Sequence, residues 1–418
     1  MKKTTYIILV LVLLIYGFFF GRHLMSLIKE QTNKSVSLGT AQESILLGSS
    51  AALTGHASFL GMEYVKGAQL YFNDINERGG IRGRKIRFLT YDDQYDPAQT
   101  VINTDKLIEE DKVFALFNYV GTPTTVKILP TVENKKVPLI GMFTGANALR
   151  DPVKKYVFNI RASYYQEEKA FIKGIVEDLK MDRVAVLYQD DAYGWDGLEG
   201  AHLALAEYGL KTVATASYER GTLDVENALK IISAADPQAV VMIGTYSPMA
   251  KFIKLAKAQG FRPLFQNVSF VGPEMLSQEL GSDGNGVIVT QVVPPPYEKN
   301  LLIGVDEYTK LLKKYYPDSL PTFGSLEGFL NAKIVIEAID RVGENMDREK
   351  LIEALESIKN YSLGIASPVS FSNTNHQGMQ RIYMTYIKNN KFILFSDWQE
   401  FKTIYDEMSA RGIEPINN

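Results

Sequence analysis

The 418-residue chain contains no cysteine. That excludes thiol catalysis, thiolate metal sites, disulfide staples and the cysteine-linked lipid of bacterial lipoproteins, while leaving the compartment open. Histidine is scarce. His23, His56, His202 and His376 are the whole set, and no two lie at metal-ligating spacing. No G-x-S-x-G elbow and no phosphate-loop lysine occurs, and the glycines of "ERGGIRGRKI" follow a helix instead of opening one. "DDQYD" (92–96) has half the pattern of a calcium loop but lacks its central glycine and closing glutamate. The net charge of -3 gives no basic surplus for nucleic acid. After Gly21 no further apolar run reaches membrane length.

What is present is an ordinary globular balance, 46% hydrophobic and 22% charged, over a length suited to two or three domain-sized units. Lys2 and Lys3 precede the uncharged stretch Thr4 to Gly21, which Arg22 closes. No small-x-small cleavage site follows closely; Gly39-Thr40-Ala41 lies far downstream. The segment reads as an uncleaved anchor with a cytoplasmic N-terminus and an exported body, the alternative being a cleaved signal. Residues 23–42 read as a tether.

From residue 43 the hydrophobic pattern alternates strand and helix. "SILLGSSAAL", Lys85 to Tyr91, "VFALFNYV" and "VPLIGMF" read as strands with helices between them. A second run begins at "RVAVLYQD" and continues through "LKTVATASY", "AVVMIG" and "RPLFQNVSF". "VVPPPYEK" breaks the pattern. Helices follow at about 305–316, 325–342 and 347–358, and two strands close the chain around Asn389-Asn390. This predicts an α/β fold in two successive units, each a mostly parallel sheet between helix layers.

Ligands in such sheets collect beyond the carboxyl ends of the strands. In "VGTPTT" (120–125), Thr122 reads as an N-cap and Pro123 as the first helical residue, leaving helix amides suited to a carboxylate. "TYSP" repeats this with Ser247 and Pro248, and Tyr246 beside them. Tyr193 reads as a loop residue able to cover a small pocket. The plain alternatives are capped helices without a ligand and packing tyrosines. Asp92 and Asp93 read as architecture, ending a strand beside the next helix start.

The string "GAQLYFNDINERGGIRGRKIRFLTYDDQYDP" resembles the first lobe of type I periplasmic solute-binding proteins, the leucine/isoleucine/valine-binding family of ABC transporters. It carries Asp74, Ile75, Asn76, Gly79, Gly80, Ile81, Gly83, Tyr91, Asp92, Asp93, Asp96 and Pro97 in that family's order. The resemblance continues through "AYGWDG", "AKAQGF" and "GSDGNGVIVT" to Asp397-Trp398. It implies two lobes, three crossovers and hinged closure on a small solute, with no catalysis, cofactor or metal. The lobes would comprise 43–162 with 293–378 and 163–292 with 379–405, after an anchor and tether at 1–42 and before a tail at 406–418. The partners implied are ABC permease subunits, or a membrane sensor partner in the alternative role of a ligand-sensing receptor, with the body on the periplasmic or extracytoplasmic face of the inner membrane.

Position by position, the resemblance makes Thr122 the residue holding a ligand carboxylate. Phe143 and Thr144, or Gly145 if the register moves by one, would receive an amino group. Tyr193 and Tyr246 would come from the second lobe, and Leu60 would line the solute side chain. The family's amino-acid binders place a glutamate against the ammonium, and here that position is Ser269. Glu274, Asp190 and Asp191 are the acidic residues near enough to substitute. A neutral serine favours a carboxylate- or amide-bearing solute without an α-ammonium group.

Overall fold

The computed structural model describes residues 44–297 and 302–411. The apolar run at Thr4–Gly21, expected as an anchor, lies outside them; among the described residues no helix is long and apolar enough to cross a membrane. The elements in chain order are β1 (Ile45–Ala51), α1 (Ser58–Glu77), β2 (Ile86–Asp92), α2 (Pro97–Glu109), β3 (Ala115–Phe117), α3 (Thr122–Lys135), β4 (Leu139–Ile140) and β5 (Val157–Phe158). Next come α4 (Tyr164–Lys173), β6 (Val184–Gln189), α5 (Ala192–Ala206), β7 (Ala214–Tyr218), α6 (Glu226–Ala234), β8 (Ala239–Ile243), α7 (Tyr246–Ala258), β9 (Leu264–Asn267), α8 (Pro273–Leu280) and β10 (Ile288–Gln291). The chain ends with α9 (Ile303–Tyr315), α10 (Phe323–Val342), α11 (Arg348–Glu356), β11 (Tyr383–Lys388), β12 (Lys391–Phe395) and α12 (Trp398–Arg411).

Two sheets organise these elements. The first is parallel, in the order β2-β1-β3-β4-β5. The second runs β12-β11-β10-β9-β8-β6-β7. It is parallel from β7 to β10, and β11 and β12 then add antiparallel at one edge. Both sheets are thus mostly parallel, as expected, and the second is mixed only at the edge carrying the terminal hairpin, whose Asn389 and Asn390 both take positive φ, as a two-residue hairpin turn demands.

Strand order reverses direction between β1 and β3 in one sheet and between β6 and β8 in the other. These switch points leave a crevice beyond the strand ends, and it is here that the loops after β1, β3, β6 and β8 lie. The chain passes between sheets after β5, after β10 and before β11. The first and last passes pair with each other: the Asn159 amide donates to the His376 carbonyl at 2.8 Å and the Gly378 amide to the Asn159 carbonyl at 2.8 Å.

Helices α1 and α10 pack with their backbones in contact. A Cβ on Gly67 would run into the Ser325 carbonyl, and one on Gly328 into the Tyr64 carbonyl. At the end of α1, Gly79 and Gly80 both adopt positive φ, the turn that their pairing in the sequence implied. Asp93 accepts from the hydroxyls of Ser50 (2.7 Å) and Thr100 (3.1 Å), and Asp92 from the amides of Leu53 (2.9 Å) and Thr54 (3.2 Å). These aspartates are architectural, as expected, but Asp92 ties down the loop after β1, and it is Asp96 that caps α2 through the Ala98 amide.

Candidate functional site

The predicted residues converge on the crevice from both sides, though several do so from other positions than the sequence suggested. Gly121, at φ 99, is the N-cap of α3, so Thr122 is already helical and does not cap. Its hydroxyl is thereby released to meet the Thr144 hydroxyl at 2.6 Å. Thr144 Oγ1 also accepts from the Ala146 amide at 3.1 Å. Ser247 likewise is not a cap: α7 begins at Tyr246 after Thr245, and the Ser247 hydroxyl donates to Glu279 at 2.6 Å. Tyr193 lies in the first turn of α5, not in a loop, because Asp191 caps that helix by accepting from the Tyr193 amide at 2.9 Å.

An aromatic cluster fills the middle of the crevice. Phe270, fully buried, meets Phe143 at 5.1 Å and Tyr193 at 5.0 Å between ring centroids, and Tyr95 at 6.2 Å. Phe143 stacks on Tyr64 at 4.3 Å. Leu60 and Tyr246 both approach Gly272, where a Cβ would press on each. Tyr246 meets Phe59 edge-on at 6.1 Å.

Ser269 is engaged by neighbours that were not singled out in the sequence. Its amide and hydroxyl donate to the two carboxylate oxygens of Glu167, each at 2.8 Å. Thr290 donates to Glu167 Oε2 at 2.6 Å, and Arg161 Nη2 lies 3.4 Å from Oε1. Arg161 Nη2 also donates to the Ser269 hydroxyl. Glu167 thus accepts from four donors, the full capacity of a carboxylate. Arg161 lies on the first pass between sheets and is paired on its other side with Glu327 of α10, at 3.6 Å. All three side chains are buried. Burial opposes charge on Arg161, but Glu327 and Glu167 outweigh it and hold the guanidinium firmly protonated. Burial raises both carboxyls, Glu327 to about 7, with Arg161 pulling the other way. Arg161 Nε and Nη1 have no hydrogen-bond acceptor in the protein.

A second buried guanidinium organises the segment expected to receive an amino group. Arg150 Nη1 donates to the Ala146 carbonyl at 2.6 Å, and Nη2 approaches the Thr144 carbonyl at 3.4 Å. The Gly145 carbonyl accepts from the Tyr164 amide at 2.9 Å and the Phe143 carbonyl from the Gly121 amide at 3.1 Å. Each carbonyl from 143 to 146 already has a donor.

The acidic residues considered as substitutes at Ser269 are engaged elsewhere. Glu274 accepts from the Phe323 amide at 2.8 Å through Oε1, while its Oε2 has no donor in the protein. Asp190 takes the Trp195 indole N–H at 3.0 Å, and Asp191 is held by its own helix, by Gln189 at 2.7 Å and by Arg220 at 3.7 Å.

Comparison with known proteins agrees with this architecture. Residues 44–391 match the family model described as periplasmic binding protein. The structure of a possible leucine/isoleucine/valine-binding protein from Rhodopirellula baltica superposes with a TM-score of 0.82 at 30% identity, covering 87% of this chain and 99% of that one. A substrate-binding periplasmic protein from Ralstonia solanacearum gives 0.79 at 30% identity, over 84% and 100%. Leu/Ile/Val-binding protein homolog 7 from Brucella suis is 24% identical over 341 residues, 76% of this chain and 82% of its own length. With its paired α/β lobes, its switch-point crevice and these relatives, the chain belongs to the periplasmic binding protein family, in its leucine/isoleucine/valine-binding-protein-like type I branch.

Proposed function

We propose that this protein is the extracytoplasmic solute-binding component of a branched-chain-amino-acid-type ABC transporter. Its solute bears a carboxylate or amide group and has no α-ammonium. The transport role is supported by relatives named as leucine/isoleucine/valine-binding proteins. The solute class rests on one observation: Glu167, the carboxylate beside Ser269, spends all its acceptor capacity inside the protein. An ammonium brought to Ser269 would lose its water without gaining a free acceptor on Glu167, a cost of about several kcal/mol. The carboxylate or amide end is assigned to Thr122 at the start of α3 and to the Thr144 hydroxyl that meets it from the loop after β4, where hydroxyls and helix amides supply donors. Capture works by closure of the lobes, which a permease then recognises.

The test is a thermal-shift panel on the purified chain. It sets leucine and phenylalanine beside 4-methylpentanoate, 3-phenylpropanoate and their amides. Stabilisation by deaminated acids or amides is expected. Stabilisation by the amino acids alone would overturn the solute class. The segment Thr4–Gly21 is proposed as the anchor that keeps the body at the membrane, and N-terminal sequencing of membrane-associated protein checks it. A mature start near residue 40 would contradict it.

A further inference from the structure

We infer that Arg161 is a solute-binding residue of the crevice, giving its unpaired N–H groups to an acceptor oxygen of the solute. The inference rests on the reading of the solute above as rich in acceptors.

A count of donors and acceptors leads to it. Within the Ser269–Glu167–Arg161 group the acceptors are used: Glu167 takes four donors, and the Ser269 hydroxyl both donates to Glu167 and accepts from Arg161. What remains in that group is donor capacity on Arg161. Arg161 is 1% exposed, yet its Nε and Nη1 have no acceptor, and Glu327 stands 3.6 Å from Nη1, an ion-pair distance and not a hydrogen bond. A buried guanidinium hydrogen without an acceptor is costly, and native sites seldom leave one. The guanidinium also lies at the crevice wall. Its carbon sits 5.2 Å from the centroid of the Phe143 ring and 6.0 Å from that of Tyr164, and Phe143 is the residue adjoining Thr144. A carboxylate or amide carbonyl at Arg161 would complete the guanidinium, whereas an ammonium there would meet a like charge.

Glu167 and Glu327 act as positioning residues. One comes from α4, over the second sheet, and the other from α10, packed on α1 over the first. The guanidinium is therefore held in place before the solute arrives, which lowers the ordering cost of binding. Arginine suits the role because its charge survives burial and its donors are fixed in a plane.

The test uses the full chain. The Arg161 Nε–H resonance is followed by NMR while the acids and amides of the panel, and acetate and acetamide as minimal acceptors, are added in excess. A shift of that resonance is expected, and a resonance that no probe moves overturns the proposal. In parallel, Arg161→Lys keeps a cation between the two glutamates, and Arg161→Gln removes it. In whichever variant retains the wild-type melting profile, the best probe should bind about tenfold more weakly or worse; wild-type affinity there overturns the proposal. If leucine proves to be the only solute, the reading of the solute falls, and the same titrations with leucine still decide the role of Arg161.

Discussion

Glu274 of α8 accepts a hydrogen bond from the backbone amide of Phe323, the first residue of α10, at 2.8 Å. A carboxylate over the second sheet thus closes on a helix end packed over the first. Burial pushes the Glu274 carboxyl up to about 7, against the pull of the Phe323 amide and with a small push from Glu63. A carboxyl raised in the folded state costs stability only once it ionises. Below its unfolded value both states hold the proton and nothing is lost. The cost grows as pH rises between that value and about 7 and is complete above. Glu274→Gln keeps an acceptor for Phe323 and removes the titration. The variant should match the wild type in melting temperature in mild acid and exceed it in mild alkali. Parallel melting curves across that range would refute the assignment.

Asp196 of α5 makes a second contact across the crevice, taking the Asn147 amide at 2.9 and 3.1 Å. Asp196→Ala should weaken solute binding by about 1 kcal/mol, roughly fivefold, chiefly through faster release. Surface plasmon resonance resolves the two rates, and an unchanged dissociation rate would remove Asp196 from closure.

Thr122→Val deletes the hydroxyl that meets Thr144 while keeping the shape of the side chain. If the two hydroxyls hold the solute's acid or amide group, affinity should fall by about 1–3 kcal/mol with the melting temperature of the free protein nearly unchanged. Calorimetry giving wild-type affinity would place that group elsewhere.

Ser269→Glu restores the residue type found in the family's amino-acid binders. On sequence grounds alone it would create amino-acid binding. With Glu167 2.8 Å from the Ser269 hydroxyl, it instead sets a third carboxylate beside a guanidinium already paired with Glu167 and Glu327. The single variant should lose about 3 kcal/mol of stability. Ser269→Glu combined with Glu167→Gln should recover stability and gain leucine binding. Denaturant titration followed by calorimetry decides it, and a single variant as stable as the wild type would show the knot to be looser than described.

The order of strands and helices was legible because hydrophobic period and glycine punctuation are local properties. The placement of Thr122 and Tyr193 at one crevice followed from reading only the carboxyl ends of strands, whereas the roles of Phe143 and Ser269 came from the family resemblance. The cap at α3 was misread because a glycine with positive φ competes with threonine for that position, and the tertiary pairing with Thr144 takes the hydroxyl away. Arg161 was missed for a different reason. Its partners Ser269 and Glu327 are remote in the chain, and an arginine on a connecting segment carries no periodic or motif signal. Adjacent acidic residues on the inward face of α4, Glu167 and Glu168, were the one visible hint, since buried carboxylates require partners.

The glycine contact between α1 and α10 has a mechanical side. Where the two backbones touch, at Gly67 and Gly328, no side chain lies between them to repack, so slippage of one helix past the other is resisted there. Helix α10 has 20 residues, about 30 Å of rigid rod. It carries Phe323 and Glu327 near one end and Val342 at the other. A shift of the Phe323 end would therefore carry the whole rod, and with it the α1 turn that bears Tyr64. A lobe movement felt at the Glu274 contact would then reach Val342 as displacement of a single stiff piece.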